Sequence, residues 1–423
     1  MDPEPEGERT GNNGGVSRRQ ALAWLGAAGI GAAAGAGGVR FADRTRGSST
    51  ATEDRRAEVV PFHGPHQSGI VTPQQRHIVF ASLDLADRSR GDLRALFRYW
   101  TTAAARLTLG RAPAGGPGKS SEVPWDTGEA VGLGPSSLTV TFGVGPALFT
   151  ADGRDVLGLA ARRPDALVDL PVFPTDDLDP ARTGGALCIQ ACADDVQVAF
   201  HAVRELVRLG HGLVSVRWSQ AGFLPEVGAG VTPRNLLGFK DGTNNVRDVS
   251  DAARFVWVGA EGPAWMRDGT YLVARRIDVR IDRWDGSSLG EQERVIGRRK
   301  GSGAPLTGRA EHDRIDFHAL GGGGLPVIPT NAHVRLAGPD SNAGQRILRR
   351  PYSFVDGGGG EGNLEGGLFF LAFQRDPRRQ FIPIQRRLAR SDALNEYLRH
   401  TGSAVFAILP GVRPGSFLGQ ELL

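Results

Sequence analysis

One rhythm runs twice through this chain. Short apolar runs with strand character alternate with a few amphipathic helices, pause at the loop GFKDGTNN (Gly238–Asn245), and resume beyond it. In the first half RHIVFASLDL (Arg76–Leu85), SLTVTFGVG, ALCIQACA and GLVSVRWSQAGF read as strands. GDLRALFRYWTTAAARLTLG (Gly91–Gly110) carries Leu93, Leu96, Phe97 and Trp100 at helical spacing. DDVQVAFHAVRELVRLG (Asp194–Gly210) reads as a second amphipathic helix, capped by Asp194 and stopped by glycine. In the second half GTYLVARRIDVRID, NAHVRLAG, RRPYSF and GGLFFLAFQRD read as extended, and SDALNEYLRHTG (Ser391–Gly402) as a helix. This pattern predicts an α+β fold of two similar halves, each an antiparallel sheet flanked by helices.

The length, 423 residues, suits one large domain or two joined halves, and 60 Gly with 26 Pro make it rich in loops. The net charge of +4 is small for that size, and most of the basic residues are Arg. No dense Lys/Arg run with interleaved aromatics occurs, which argues against nucleic-acid binding. The two cysteines, Cys188 and Cys192, sit four apart in an apolar strand-like run. Within one extended strand their Cα atoms are too far apart for a disulfide, and no second Cys/His pair accompanies them as metal ligands. They read as small core side chains.

The chain opens with a polar, glycine-rich leader, then Arg18-Arg19, then an uncharged Ala/Gly-rich stretch in SRRQALAWLGAAGIGAAAGAGG (Ser17–Gly38). Its length approaches a membrane span, but few of its side chains are large and apolar, so its transfer energy is marginal. The order resembles a twin-arginine export signal, residues 1–36, with a small-residue cleavage site at Ala34–Ala36. A polar linker over 37–71 follows, then the two halves at 72–235 and 236–423.

Nine histidines compete for a ligand role. His201 and His211 lie in or beside a helix with no partner motif; His312 and His318 lie in a highly charged segment that reads as a solvated face; His63 and His66 fall in the linker. His333, in IPTNAHVRLAGP, differs: an apolar segment and an arginine follow it, and LRRPYSF comes soon after. A single strand histidine is more often a core residue than a ligand.

Asp241 between glycines, His333 before Val-Arg, and Arg349 in ILRRPYSF together resemble the dye-decolorising peroxidase family. The segments that carry the resemblance are NLLGFKDGTNN (a GxxDG signature), VIGRRKGSGAPL, TNAHVRLAGP, RILRRPYSF and GGLFFLAFQRDPRRQFIPIQ, ending with YLRHTGSAVFAILPG. They cover nearly the whole chain from about Thr72 to Gly411. The resemblance implies two ferredoxin-like halves with one haem b in the C-terminal half, and a peroxidase that works through a ferryl intermediate. It implies hydrogen peroxide and dyes, phenols or other organic reductants as substrates, and a location outside the cytoplasm, reached through the twin-arginine export machinery. It also leaves open self-association and iron-uptake partners. In one branch relatives act as deferrochelatases, which is the alternative function. A haem carrier would need neither Asp241 nor Arg349, and a chlorite-dismutase-like enzyme fits the GxxDG signature poorly.

By the same resemblance His333 is the axial ligand of the haem iron, and Asp392 is our candidate for the carboxylate behind it. As a plain helix N-cap Asp392 would need no such partner. Asp241 is the proton shuttle on the open face and Arg349 the cation beside the departing oxygen. Arg350, its neighbour, points away if the segment is a strand. Leu368 and Phe370 share a strand face that would wall the distal pocket. Gly242, Thr243 and Asn244 match the family's haem-contacting stretch, and Arg335 and Arg298 are candidates for the propionates. Tyr352 and Tyr397 are candidates for carrying electrons outward; ordinary packing is their commoner role. Pro351 departs from the family pattern, which commonly has Gly after the paired arginines. Replacing Arg18 and Arg19 together with Lys is expected to abolish export, measured by cell fractionation; an unchanged exported fraction would remove the signal reading.

Overall fold

The computed structural model describes residues 57–423 apart from 87–88, 115–119, 122, 229 and 359–363. The expected export signal lies outside the described residues, and among those described no helix is long and apolar enough to cross a membrane.

The first half contributes β1 (His77–Leu85), β2 (Thr139–Val144), β3 (Leu187–Ala193) and β4 (Val214–Phe223), hydrogen-bonded in the order β2-β3-β1-β4. Helix α1 (Arg90–Leu107) connects β1 to β2, and α2 (Val196–Leu209) connects β3 to β4. The second half repeats the plan with β5 (Thr270–Val279), β6 (Leu348–Arg349), β7 (Tyr352–Gly358), β8 (Leu364–Gln374) and β9 (Leu398–Ile408). Here the order is β9-β5-β8-β7, with the two-residue β6 also on β8. Helices α3 (Leu289–Ile296) and α4 (His333–Ala337) lie between β5 and β6, and α5 (Phe381–Ser391) lies between β8 and β9. Both halves are therefore β-α-β-β-α-β units with the first and third strands central, which is the ferredoxin-like arrangement. They join through two short antiparallel seams, Gly143↔Ile408 with Val144↔Ala407, and Phe223↔Ser353.

Local chemistry explains the elements. Ser89 and Asp92 form a reciprocal capping box that starts α1. The side chain of Trp100 on α1 donates to the Leu206 carbonyl of α2 at 2.7 Å, so the two helices lie side by side on the sheet. β3 is buried at every residue because helices cover one face and a second apolar cluster covers the other. That second cluster draws Ile78, Phe80 and Cys192 from the first half and Leu272, Tyr352, Phe369 and Phe406 from the second. Both cysteines are buried and free, as the sequence indicated.

Four expectations need correction. The α2 cap is Asp195, whose carboxylate accepts from the Gln197 and Val198 amides; Asp194 instead accepts from the Arg76 amide. Residues 57–71 are not a loose linker, since Phe62, Gln67 and Ile70 are buried and Gln67 bridges the Phe142 and Leu409 carbonyls. The segment at His333 is helical, a single turn closed by Gly338-Pro339; so short an apolar run does not distinguish strand from helix by its period. Ser391–Gly402 is mostly not a helix: α5 ends at Ser391, a short 3₁₀ turn spans Ala393–Tyr397, and β9 begins at Leu398. Pairing of that segment along β5 outweighs its helical propensity. Helix α5 itself tolerates Pro383 because the residue falls in its first turn.

A buried ion pair ties the halves together. Arg275 on β5 and Asp176 from the loop between β2 and β3 are both almost fully buried and in contact, and Arg275 also donates to Ser403 Oγ at 3.0 Å. Removing one partner leaves a charge buried alone. Asp176→Ala is expected to destabilise the protein by about 3–5 kcal/mol, read by chemical denaturation.

Candidate active site

The second half encloses a cavity of about 260 Å³, mostly apolar, between the loop 235–244, the sheet and helices α4 and α5. Ile277, Leu368 and Phe370 wall it on the sheet side, and Val334, Ile384 and Leu388 on the helix side. Leu368 and Phe370 both reach it because they lie two apart on β8.

The loop presents Asp241. Its amide donates to the Pro233 carbonyl at 2.8 Å, and Gly242 follows with φ +113°, a conformation that side-chain-bearing residues rarely adopt. Asp241 Oδ1 accepts from an Arg349 Nη at 2.7 Å, and Oδ2 accepts from Asn235 at 3.3 Å. Arg349 is held by its backbone: its amide donates to Asn245 Oδ1 at 2.9 Å, and its carbonyl accepts from Asn245 Nδ2 at 2.7 Å. One amide side chain thus fixes the strand that carries the guanidinium to the loop that carries the carboxylate. Arg350 points the other way, to the Thr72 carbonyl and Gln75, as strand alternation requires.

Opposite stands His333. Its Nδ1 lies 2.6 Å from Asp392 Oδ2, while Asp392 Oδ1 caps the following turn by accepting from the Leu394 amide at 2.9 Å. The carboxylate therefore does both jobs weighed for it. With Nδ1 donating, the Nε2 lone pair is free, and among the described residues it has no hydrogen-bonding partner. About a third of the side chain is exposed, and that surface faces the cavity. Burial works against the imidazolium, but the charge and hydrogen bond of Asp392 outweigh it, so the His333 pKa is raised.

Gly242, Thr243, Asn244 and Arg298 also line the cavity. Arg298 is buried and donates to the Gly303 and Glu311 carbonyls. Arg335 does not line it; its guanidinium is taken up by the Phe317 and Ile328 carbonyls. Tyr352 and Tyr397 are buried and off the cavity wall, Tyr397 edge-on to Trp284 at 4.9 Å. Two contributors escaped the sequence reading. Asn245 was legible only as one more polar residue in the loop. Glu311, from a segment read as a solvated face, binds Lys240 and Thr243 and so anchors the Asp241 loop. Burial pushes the Glu311 carboxyl up, yet hydrogen bonds from Lys240, Thr232 and Thr243 bring it to about 2.

Two family models match, Dyp-type peroxidase, N-terminal over residues 67–224 and Dyp-type peroxidase, C-terminal over 232–413. The chain belongs to the Dyp-type peroxidase family. It is 42% identical to the dye-decolorizing peroxidase of Thermobifida fusca (strain YX) over 99% of both chains. It is 38% identical to the deferrochelatase of Escherichia coli (strain K12), over 96% of this chain and 97% of that one. Among solved structures, an oxyferrous complex of DtpA from Streptomyces lividans matches with a TM-score of 0.81 at 42% identity, covering 88% of this chain and 99% of that one. The chain is thus a haem peroxidase, with haem b as cofactor. The cavity fits that cofactor: its walls are apolar, one imidazole nitrogen is free on one side, and a charged pair stands on the other.

In the haem-free protein His333 should titrate above the ordinary imidazole value, and Asp392→Asn should lower it, read by NMR of the ring protons. Because the folded pKa is raised, the His333–Asp392 pair contributes fully below the unfolded value and is lost as pH rises through the folded one. The variant should flatten the loss of stability across that window.

Proposed function

We propose that this peroxidase divides its work between the two sides of the cavity. His333 would hold the iron through Nε2, while Asp392 keeps the Nδ1 proton in place, which orients the ring and makes it a stronger donor. Haem b, when bound, supplies the iron that takes up peroxide and the oxidising equivalents that follow. Asp241 accepts the proton from one peroxide oxygen and returns it to the departing one. Arg349 commits one nitrogen to Asp241, and among the described residues its remaining guanidinium N–H groups make no hydrogen bond, so they are free to face the oxygen on which charge develops. Arg298 and the stretch Gly242–Asn244, which line the cavity, would hold the propionate edge. The observation that carries the assignment is the Asp241–Arg349 contact across from a histidine with one free nitrogen.

Dyes, phenols and similar reductants are the expected electron donors, through Tyr352 or Tyr397 where they are too large for the cavity. The export signal supports an extracytoplasmic site of action through the twin-arginine machinery. A second reading, release of iron from haem, is favoured by the relatives that carry the name deferrochelatase. It requires metal-free porphyrin to appear during incubation with haem; without that product this reading falls.

Arg349→Leu should slow the peroxide-driven Soret shift more than Asp241→Asn does, with haem retained in both. Removing a fixed cation beside developing charge typically costs about two to three orders of magnitude in rate. The loss of a general base is of similar or smaller size, and water partly replaces it. Stopped-flow mixing with peroxide decides. A slower Asp241→Asn would mean that proton transfer matters more to the rate than charge stabilisation, and two unaffected variants would remove both residues from the distal site.

A further inference from the structure

The sheet that walls the cavity has a second face, and a phenol and a thiol meet there. Tyr352 follows the Arg349-Arg350-Pro351 segment and pairs with Phe369 on β8. Leu368 and Phe370, on either side of Phe369, line the cavity, whereas Phe369 and Tyr352 turn into the core between the two halves. Tyr352 is thus separated from the haem cavity by the thickness of one sheet.

Across that core Cys192 on β3, Ile78 on β1 and Gly222 on β4 lie in one row, since Ile78 pairs with both of the others. A side chain at Gly222 would run into Tyr352: a Cβ there would stand 2.7 Å from the Tyr352 Cβ. Two strand spacings amount to about 10 Å, and a tyrosine entering over the glycine extends along the row toward Cys192. The polar groups around the phenol hydroxyl are the Cys192 thiol, the Arg350 guanidinium and the Gln74 side chain. Among the described residues none of them meets both distance and angle for a hydrogen bond with the buried hydroxyl. Tyr352 and Cys192 are each wholly buried. Packing alone would be served by Phe at 352, which would leave no orphaned hydroxyl.

We propose that Tyr352 and Cys192 are an internal electron donor, oxidised when peroxide is turned over without an outside reductant. The product is a thioether between Cys192 Sγ and the ring carbon beside the Tyr352 hydroxyl. One ring C–H bond and one S–H bond break and one C–S bond forms. Two electrons and two protons leave, and they reduce one hydrogen peroxide to two water molecules. The oxidant is the one the established activity already consumes, and the electrons cross only the sheet beneath Phe369. Burial holds the phenol protonated, so its electron leaves together with its proton. No water-filled route to Cys192 is needed, which distinguishes this product from direct thiol oxidation.

The proposal rests on the peroxidase reading, and one experiment separates their failures. The haem-loaded full chain is given hydrogen peroxide with no reductant, peroxide consumption is followed, and the protein is then unfolded for thiol titration and intact-mass measurement. The two free thiols are expected to fall to one, with a mass lower by two hydrogen atoms and the peptides around 192 and 352 joined. Tyr352→Phe and Cys192→Ser should not lose the two hydrogens, while Cys188→Ala should still lose them. Consumption of peroxide by wild type with both thiols and the mass unchanged overturns the proposal and leaves the peroxidase reading standing. So does loss of a thiol with added oxygen to equal extent in wild type and Tyr352→Phe, which would mark direct oxidation. Failure to consume peroxide at all overturns both.

Discussion

The contact between Asp241 and Arg349 is the constraint around which the second half is arranged. Neither group sits on a rigid element by itself: one is in a glycine loop, the other on a two-residue strand. The geometry is fixed by what stands behind them. Asn245 clamps the Arg349 backbone through both atoms of its amide, and Arg346 reaches the Asn245 carbonyl at 2.9 Å and pairs with Asp251. On the other flank Glu311 binds Lys240 and Thr243, the residues one before and two after Asp241. The polar frame thus holds the Asp241 loop from both ends, as the proton shuttle proposed for this carboxylate would require.

The opposite side obeys a different rule. His333 stands on one helical turn, too short to be stable alone, and α5 packs beside it. Asp392, at the end of α5, uses one oxygen to start the next turn and the other to hold the imidazole. The position of the ring is thereby coupled to the point where helix gives way to β9. The residue that ends a helix here also orients the His333 imidazole.

Much of this was legible in the sequence. The repeated strand–helix rhythm gave both halves, because alternation and helical spacing are local signals. The triad of Asp241, His333 and Arg349 was legible only because several motifs resembled one family; composition and period alone left His333 a strand histidine like any other. What stayed hidden was long-range. Asn245 lies 104 residues from the strand it clamps, and Glu311 is 71 residues from Lys240. Nothing in their local pattern separates a structural amide or acid from a solvated one. The helix over Phe381–Ser391 escaped the sequence reading; its Pro383 falls in the first turn, where a missing amide is tolerated. Arg335, a candidate for the propionates as a cation, is instead aimed by its helical turn at two carbonyls.

Strand parity then decides which side chains share the chemistry. Along β8 successive residues face opposite ways: Leu368 and Phe370 meet the cavity, Phe369 and Leu371 meet the core. Along the neighbouring segment Arg349 faces the cavity and Arg350 turns to Thr72 and Gln75. A site that generates strong oxidising equivalents is thus walled by leucine, isoleucine and phenylalanine, which resist oxidation, while the oxidisable Tyr352 and Cys192 are kept one layer behind. A single-residue slip of β7 or β8 would exchange these faces and expose the phenol to the cavity. The register Tyr352↔Phe369 therefore does more than close the sheet: it keeps the phenol on the core face, one layer away from the cavity.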